Sequence, residues 1–313
     1  MKDDSSSSLS KELSSIKTGM GEAFDSQFDL ALQGLDSPVR VYTVSDGVRQ
    51  EAPVRLSMDQ ALGGLYDTVI QAGRESTSSF IFEFSGNDDI PSVGSRLRVL
   101  AREGSCVKIS LVNLLGGKTV HFDSVGADVK DGAAVEVTEL QLGGSKVYSG
   151  SLYSLSGAAS TFEGRLAYLV DGERSLDVNY VTRQTGRGSS SSMKVDGVVS
   201  GNASKTWRGT IDFVKGSVDA RGDEQENVLL LSPTAVNKSL PVILCDEEAV
   251  DGRHGSSIGR LGADILFYMQ SRGIDELSAK KIMVKSKISS VSRFLGDDEI
   301  AGKIDRHIEG VFA

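Results

Sequence analysis

Residues 135–144 read VEVTELQLGG, a run of largely alternating apolar and polar side chains that is closed by two glycines. Alternation with a period of two is typical of a β-strand with one buried face, and glycine ends such a strand in a tight turn. Similar short strands with glycine or aspartate punctuation continue between Ser79 and Cys245, and this region is therefore predicted to be all β. The clearest other strands are residues 80–84, 97–100, 107–112, 166–170, 176–181, 206–214, 228–231 and 242–245.

Nothing between these strands predicts a helix of ten or more residues. A doubly wound α/β fold is therefore disfavoured, because its parallel strands are joined by helical crossovers. A sandwich and a parallel β-solenoid remain. The strands are short, numerous and fairly evenly spaced over a stretch longer than a typical sandwich, which favours the solenoid, although no strict repeat length is visible. A solenoid has exposed strand edges at its ends, and terminal helical segments would cap them.

The first two predicted segments are an N-terminal helical segment and a β core. Residues 1–36 are expected to contain one helix capped by Ser10, running through Ile16 and Met20, and a second helix over residues 24–35. Residues 37–261 form the predicted β core. This core is expected to carry a helical insertion at residues 57–73, where four apolar residues share one helical face: Met58, Leu62, Leu65 and Val69.

Residues 262–313 form the third predicted segment, which is helical. A first helix is expected to be capped by Asp264 and closed by Gly273. A second helix is expected to open at Asp275 or Ser278. A third begins at about Asp297 and carries three isoleucines at helical spacing, Ile300, Ile304 and Ile308.

Composition limits the classes of function. The chain has 313 residues, with 39% hydrophobic and 25% charged residues, as in a globular protein. Its formal net charge of −9 argues against an electrostatic grip on nucleic acid or on an anionic membrane. No stretch is apolar and long enough to span a bilayer, and Met1 to Ser8 lack the pattern of a signal peptide. A cytoplasmic protein is therefore expected.

Five short motifs follow one another in the C-terminal half of the chain. Together they resemble the SufB/SufD family, the scaffold proteins of iron–sulfur cluster assembly. Each motif alone carries little weight, but five in the right order across roughly seventy residues are hard to obtain by chance. They are WRGTIDFVKG at 207–216, NVLLLS at 227–232, PVILCDEEAV at 241–250, HGSSIG at 254–259 and LFYMQSRGI at 266–274.

The resemblance implies an architecture, a set of partners and a role. The expected core is a right-handed parallel β-helix with N-terminal and C-terminal helical segments. The expected partners are a SufC-type ABC ATPase, bound by the C-terminal helices, and a second SufB/SufD-type protomer, bound through the β-helix in a homodimer or a heterodimer. The chain is expected to be a scaffold and not an enzyme. No tightly bound cofactor is expected, but a transient iron–sulfur cluster or iron is expected at the protomer interface.

Three residues are candidates for cluster assembly or metal binding. His254 matches the histidine that the family carries at its protomer interface, and an imidazole with carboxylates nearby is a natural iron ligand. Cys245 ends an apolar strand, where it is either a thiolate ligand or a small packed hydrophobe. Glu226 stands about where SufB-type members carry a cysteine, and Gly255 replaces the glutamate that follows their histidine. The chain is therefore more similar to SufD than to SufB.

The resemblance also assigns residues in the C-terminal helices to the SufC interface. An amphipathic helix pair at a chain terminus suits such a docking surface, and it suits a cap on the β-helix equally well. The residues assigned to docking are Arg272, Ile282, Met283, Val284, Ile288 and Phe294.

One function of a different class also fits a β-solenoid, which is the binding or cleavage of polysaccharide. Carbohydrate sites usually present aromatic platforms and paired carboxylates. Aromatic residues make up only 6% of this chain, with Trp207 the single tryptophan, so the scaffold function is preferred.

Overall fold

The structure is a computed structural model that describes residues 12–13, 15–35, 39–58, 64–86 and 88–312. Within these ranges the chain forms sixteen strands between an N-terminal helix and a C-terminal helical region. The strands are β1 (Arg40–Val44), β2 (Val54–Ser57), β3 (Gly64–Ala72), β4 (Thr77–Ser85), β5 (Ser92–Ala101), β6 (Cys106–Leu114), β7 (Val120–Val129), β8 (Ala134–Gln141), β9 (Lys146–Leu155), β10 (Thr161–Val170), β11 (Ser175–Gln184), β12 (Ser190–Val199), β13 (Ser204–Phe213), β14 (Arg221–Leu230), β15 (Val236–Cys245) and β16 (Asp251–Arg260).

Consecutive strands alternate between two eight-stranded sheets. The odd-numbered strands form one sheet and the even-numbered strands form the other, each in sequence order. All strand pairs within both sheets are parallel. Each turn of the chain therefore adds one strand to each sheet, which is the geometry of a parallel β-helix. The predicted solenoid is confirmed, and the sandwich, which is built from antiparallel sheets, is excluded.

The length of one turn varies along the β-helix. Register partners are 26 residues apart between Val120 and Lys146, but 32 residues apart between Ser204 and Val236. The connections between strands absorb this difference, because the strands themselves are nearly all eight to ten residues long from β3 onward. Variable connections explain why the sequence shows regular strands without a strict repeat length.

Residues 64–72 form strand β3, so the predicted helical insertion at residues 57–73 is wrong. Seven consecutive residues, from Tyr66 to Ala72, are buried. One face of β3 points into the β-helix, and Asp67 on the other face is covered through its ion pair with Arg96. A strand that is buried on both faces loses the period of two, and its apolar residues then imitate helical spacing. Leu62 lies outside the described residues.

Helix α1 (Glu22–Leu35) covers the outer face of the odd-numbered sheet and confirms the helix predicted over residues 24–35. Its Phe28 is buried, and Arg96 on β5 reaches both Asp29 on the helix and Asp67 on β3 at 2.6 Å. The other predicted N-terminal helix does not run through Ile16, because residues 16–18 are not helical. Its proposed cap, Ser10, lies outside the described residues.

The C-terminal region contains α2 (Ala263–Ser271), α3 (Glu276–Ser292), a 3₁₀ turn (Arg293–Leu295) and α4 (Asp298–Val311). Asp275 caps α3 by accepting from the Ser278 N–H, and Asp297 caps α4 in the same way. Gly262 rather than Asp264 precedes α2, so that predicted cap is wrong. Among the described residues, no helix has the length and apolar character needed to cross a bilayer.

Helices α3 and α4 pack on the outer face of the even-numbered sheet. Ile300, Ile304 and Ile308 are buried there, as their spacing predicts. They join an apolar cluster that includes Val112, Leu140 and Leu169 of the sheet, among others. Two ion pairs fasten the edges of this layer, between Lys303 and Glu83 at 2.8 Å and between Lys287 and Asp196 at 3.0 Å.

Candidate functional site

The C-terminal end of the β-helix is open. Strands β15 and β16 are the last strands of their sheets and pair on one side only, with β13 and β14 respectively. Every residue of β16 is exposed, and no residue of β15 is fully buried. Cys245 and His254 lie on these two strands, and Glu226 lies on β14 directly beneath. All three predicted site residues therefore belong to one end of the molecule.

The strand register shows which side chains point into the β-helix at this end. Glu224 and Glu226 of β14 are buried in the interior, each only 2% exposed. Their register partners on β16 are His254 and Ser256. Paired residues of parallel strands point to the same face of the sheet, so His254 and Ser256 extend this interior row to the opening. A cleft of about 400 Å³ along β14 and β16 has Glu226, His254 and Ser256 in its wall.

Glu226 is part of a buried ion pair. Its Oε1 accepts a short hydrogen bond from the Lys205 Nζ, and the Lys205 side chain is 1% exposed. Its Oε2 accepts from the Ser256 hydroxyl at 3.3 Å. Burial lowers the pKa of Lys205, while the adjacent carboxylate of Glu226 raises it. Glu226 therefore stands within a strand with both oxygens engaged, and the expectation of a solvated glutamate near a turn is wrong.

Glu224 is a site residue that the motifs do not indicate. The indole N–H of Trp207 donates to its Oε1 at 2.6 Å, whereas its Oε2 is buried without a hydrogen-bond partner among the described residues. Gly209 makes room for this carboxylate, since a Cβ at position 209 would lie 2.1 Å from Oε1. Burial raises the pKa of Glu224, and the Trp207 hydrogen bond and the nearby His254 oppose that shift. The available signal was the pair Glu224 and Glu226 at strand spacing.

Cys245 lies apart from this group. It occupies the far end of β15, where it is exposed and its Sγ donates to the Glu247 carbonyl at 3.1 Å. Ser239 of the same strand contacts the Lys205 Nζ at 3.3 Å, and six residues of extended strand, about 20 Å, separate Ser239 from Cys245. The strand end is therefore not buried as the sequence suggested. Cys106 is half-buried on β6, far from the open end.

The described residues contain no group of three or more His, Cys, Asp or Glu side chains that could hold a metal ion. The other two histidines are engaged elsewhere: His121 is buried within the β-helix, and His307 lies 2.9 Å from the Leu142 carbonyl. Glu224 and His254 thus offer two adjacent ligand side chains, one oxygen and one nitrogen, which is an incomplete coordination set for this chain alone.

The residues predicted to dock SufC divide into two groups. Val284 and Ile288 are buried against the even-numbered sheet, so they anchor α3 and are not available to a partner in this structure. Met283 is partly buried beside them. Ile282 and Phe294 remain exposed, at 47% and 46%. Arg272 is also exposed and lies over the Tyr268 ring at 5.6 Å.

Comparison with known proteins gives one family and several relatives. The family model described as "SUF system FeS cluster assembly, SufBD core domain" matches residues 56–287. The iron–sulfur cluster assembly protein SufD of Bacillus subtilis is 24% identical over 179 residues, covering 57% of this chain and 41% of that protein. SufD of Escherichia coli is 23% identical over 209 residues, covering 65% of this chain and 48% of that protein.

A SufBD family protein of Mycobacterium tuberculosis is also similar, with 23% identity over 199 residues, covering 61% of this chain and 50% of that protein. In these matches the chain spans half or less of the length of each relative. The similarity therefore concerns the β-helix and the start of the C-terminal helices.

Proposed function

This chain belongs to the SufBD family, and from that membership we propose that it is a scaffold subunit of iron–sulfur cluster assembly. In this proposal it pairs with a SufB/SufD-type protomer and with a SufC-type ABC ATPase, supports nascent clusters, and is not itself an enzyme. The observation that carries the proposal is the open end of the β-helix. Two free strand edges, an exposed histidine and buried carboxylates meet there, next to the helices that follow β16.

The free edges at the open end support pairing with a second protomer. The edge strands β15 and β16 are ten residues long, whereas β1 and β2 at the other end have five and four residues. Long unprotected edges invite pairing with another chain, and short ones discourage it. On the outer face of β15, Leu240, Val242 and Leu244 are 47%, 39% and 51% exposed. A partner protomer would cover this apolar row.

The backbone of β16 is better suited to pairing than that of β15. The Asp251 and Leu261 N–H groups point to β14, so the alternate residues, from Gly252 to Arg260, direct their N–H and C=O groups to the free edge. On β15 the Val236 and Asp246 N–H groups point to β13, so Pro241 falls on the free side. Proline lacks an N–H, so the donor row of β15 is interrupted and that of β16 is continuous.

Helix α2 supports docking of the ATPase. None of its residues is buried, and Phe267 and Tyr268 are 73% and 61% exposed. Large exposed aromatic side chains on a helix are typical anchors of a protein interface. Ile282 and Phe294 extend the exposed apolar surface, while Val284 and Ile288 fasten α3 to the β-helix. Movement of a partner bound at α2 would therefore be transmitted to the β-helix.

Co-purification tests the proposal. The chain is expected to form a complex with the SufC-type ATPase of its own organism, and Phe267→Asp is expected to weaken that complex about tenfold or more. Leu30→Asp is the matched control, because Leu30 is 61% exposed on α1 at the other end of the chain. Equal ATPase binding by the wild type and the Phe267→Asp variant would remove α2 from the interface. No ATPase binding by the wild type would refute the proposed partnership.

A further inference from the structure

We propose that Glu224, and not Glu226, is the carboxylate that holds ferrous iron together with His254 at the open end. The inference rests on the proposed function, since iron is the material from which a cluster is built. It separates two glutamates that stand two residues apart on one strand and point into the same interior.

The contacts of Glu226 leave it no free oxygen. Lys205 occupies Oε1 and Ser256 occupies Oε2. Withdrawing Glu226 from Lys205 would leave a buried ammonium without its counter-charge, and breaking a buried ion pair in this way is strongly unfavourable. Lys205 is also fixed by the Ser239 hydroxyl at 3.3 Å and lies 5.5 Å from the centre of the Tyr168 ring. Glu226 therefore serves the packing of the last turns.

The contacts of Glu224 leave one oxygen available. Trp207 holds Oε1, and Oε2 is buried with no hydrogen-bond partner among the described residues. A buried carboxylate oxygen without a donor is costly unless something else binds it. Its neighbour on β16 is His254, which lies about 4.8 Å away along the ladder, on the same face and at the opening. The free oxygen and the imidazole therefore face a common space.

The donor set determines the class of ligand. A neutral imidazole and a carboxylate suit a divalent first-row ion such as Fe²⁺. Two protein ligands do not complete its coordination, and the remaining positions lie towards the open end, where water or a second protomer supplies them. Trp207 acts as a positioning residue, since its N–H fixes the carboxylate without touching the ion.

Metal binding to the purified chain tests this inference, with Co²⁺ as the spectroscopic probe and Fe²⁺ as an anaerobic competitor. Glu224→Gln and His254→Ala are each expected to weaken Co²⁺ binding at least about tenfold. Gln keeps an acceptor for Trp207, so the fold is expected to persist, and thermal unfolding verifies this. Trp207→Phe gives an independent measurement and is expected to weaken binding as well, because the carboxylate loses its fixed orientation.

The matched control removes Glu226 without leaving a buried charge. The paired variant Lys205→Met/Glu226→Leu is expected to bind Co²⁺ within about threefold of the wild type, and Glu226→Gln is a second version of this control. The inference is overturned if Glu224→Gln binds like the wild type, if the Glu226 variants lose binding as strongly, or if the wild type binds no Co²⁺. Each of these results is distinguishable from failure of the proposed function, which would appear as missing ATPase and protomer partners.

Discussion

Replacing Lys205 by methionine is expected to lower the free energy of unfolding by about 3–5 kcal/mol, because Glu226 is then left as an unpaired charge inside the β-helix. Both side chains are almost completely inaccessible, at 1% and 2% exposure, so water cannot replace the lost cation. The effect is measured by urea unfolding, with far-UV circular dichroism and the fluorescence of Trp207 as two probes of one transition.

The control for this prediction replaces both members of the ion pair. Lys205→Met/Glu226→Leu is expected to recover most of the lost stability, since apolar residues of similar size often substitute for a buried ion pair without cost. A double-mutant cycle of the two single variants and the pair gives the coupling energy. If Lys205→Met is as stable as the wild type, the buried ion pair does not exist in solution.

Replacing Ile258 by lysine is expected to raise the dissociation constant of the protomer pair about thirtyfold or more. Ile258 lies on β16, points to the opening above Val228 and is 54% exposed, so a partner that covers the open end would bury it. The charge opposes that burial and costs the isolated chain little. Analytical ultracentrifugation of the chain alone, and mixed with a SufB-type protomer, measures the effect and separates a homodimer from a heterodimer.

Val48→Lys is the matched control for the interface, because Val48 is 44% exposed near the opposite end of the β-helix. This variant is expected to associate like the wild type. Association that is sensitive to Val48→Lys and insensitive to Ile258→Lys would place the protomer interface at the N-terminal end, contrary to the proposal.

The strands could be predicted because most of them bury one face and expose the other to a turn or to solvent. Strand β11 shows this well, with alternating burial along nearly its whole length. Strand β3 could not be predicted in this way, because α1 and the Asp67–Arg96 ion pair also bury its outer face. The covering element is 30 to 40 residues away in sequence, and local periodicity carries no record of it.

The candidate site was predictable only in part. His254 was found by resemblance, and the structure places it at the open end beside the interior row. Glu226 was taken for a residue near a turn, because two carboxylates at positions 224 and 226 resemble a solvated segment when their partners are unknown. Those partners, Lys205 and Trp207, lie about twenty residues earlier and become neighbours only when the chain completes a turn.

The helical spacing of Val284 and Ile288 shows a further limit of the sequence. An apolar stripe predicts that a helix face is buried, but it does not identify what buries it. Here the even-numbered sheet covers both residues, while Phe267 on the preceding helix remains exposed. The stripe thus indicated attachment to the β-helix, and the docking surface had to be located from exposure.

Cluster formation by the reconstituted assembly tests the central claim most directly. The chain, its SufC-type ATPase and a SufB/SufD-type protomer are combined anaerobically with ATP, ferrous iron and a sulfide source, and clusters are followed by absorbance and Mössbauer spectroscopy. The wild type is expected to support clusters, and His254→Ala is expected to lower their yield about tenfold or more while still binding the ATPase. Equal cluster yields from the wild type and His254→Ala, with the ATPase bound in both, would contradict the assignment of the open end as the assembly site.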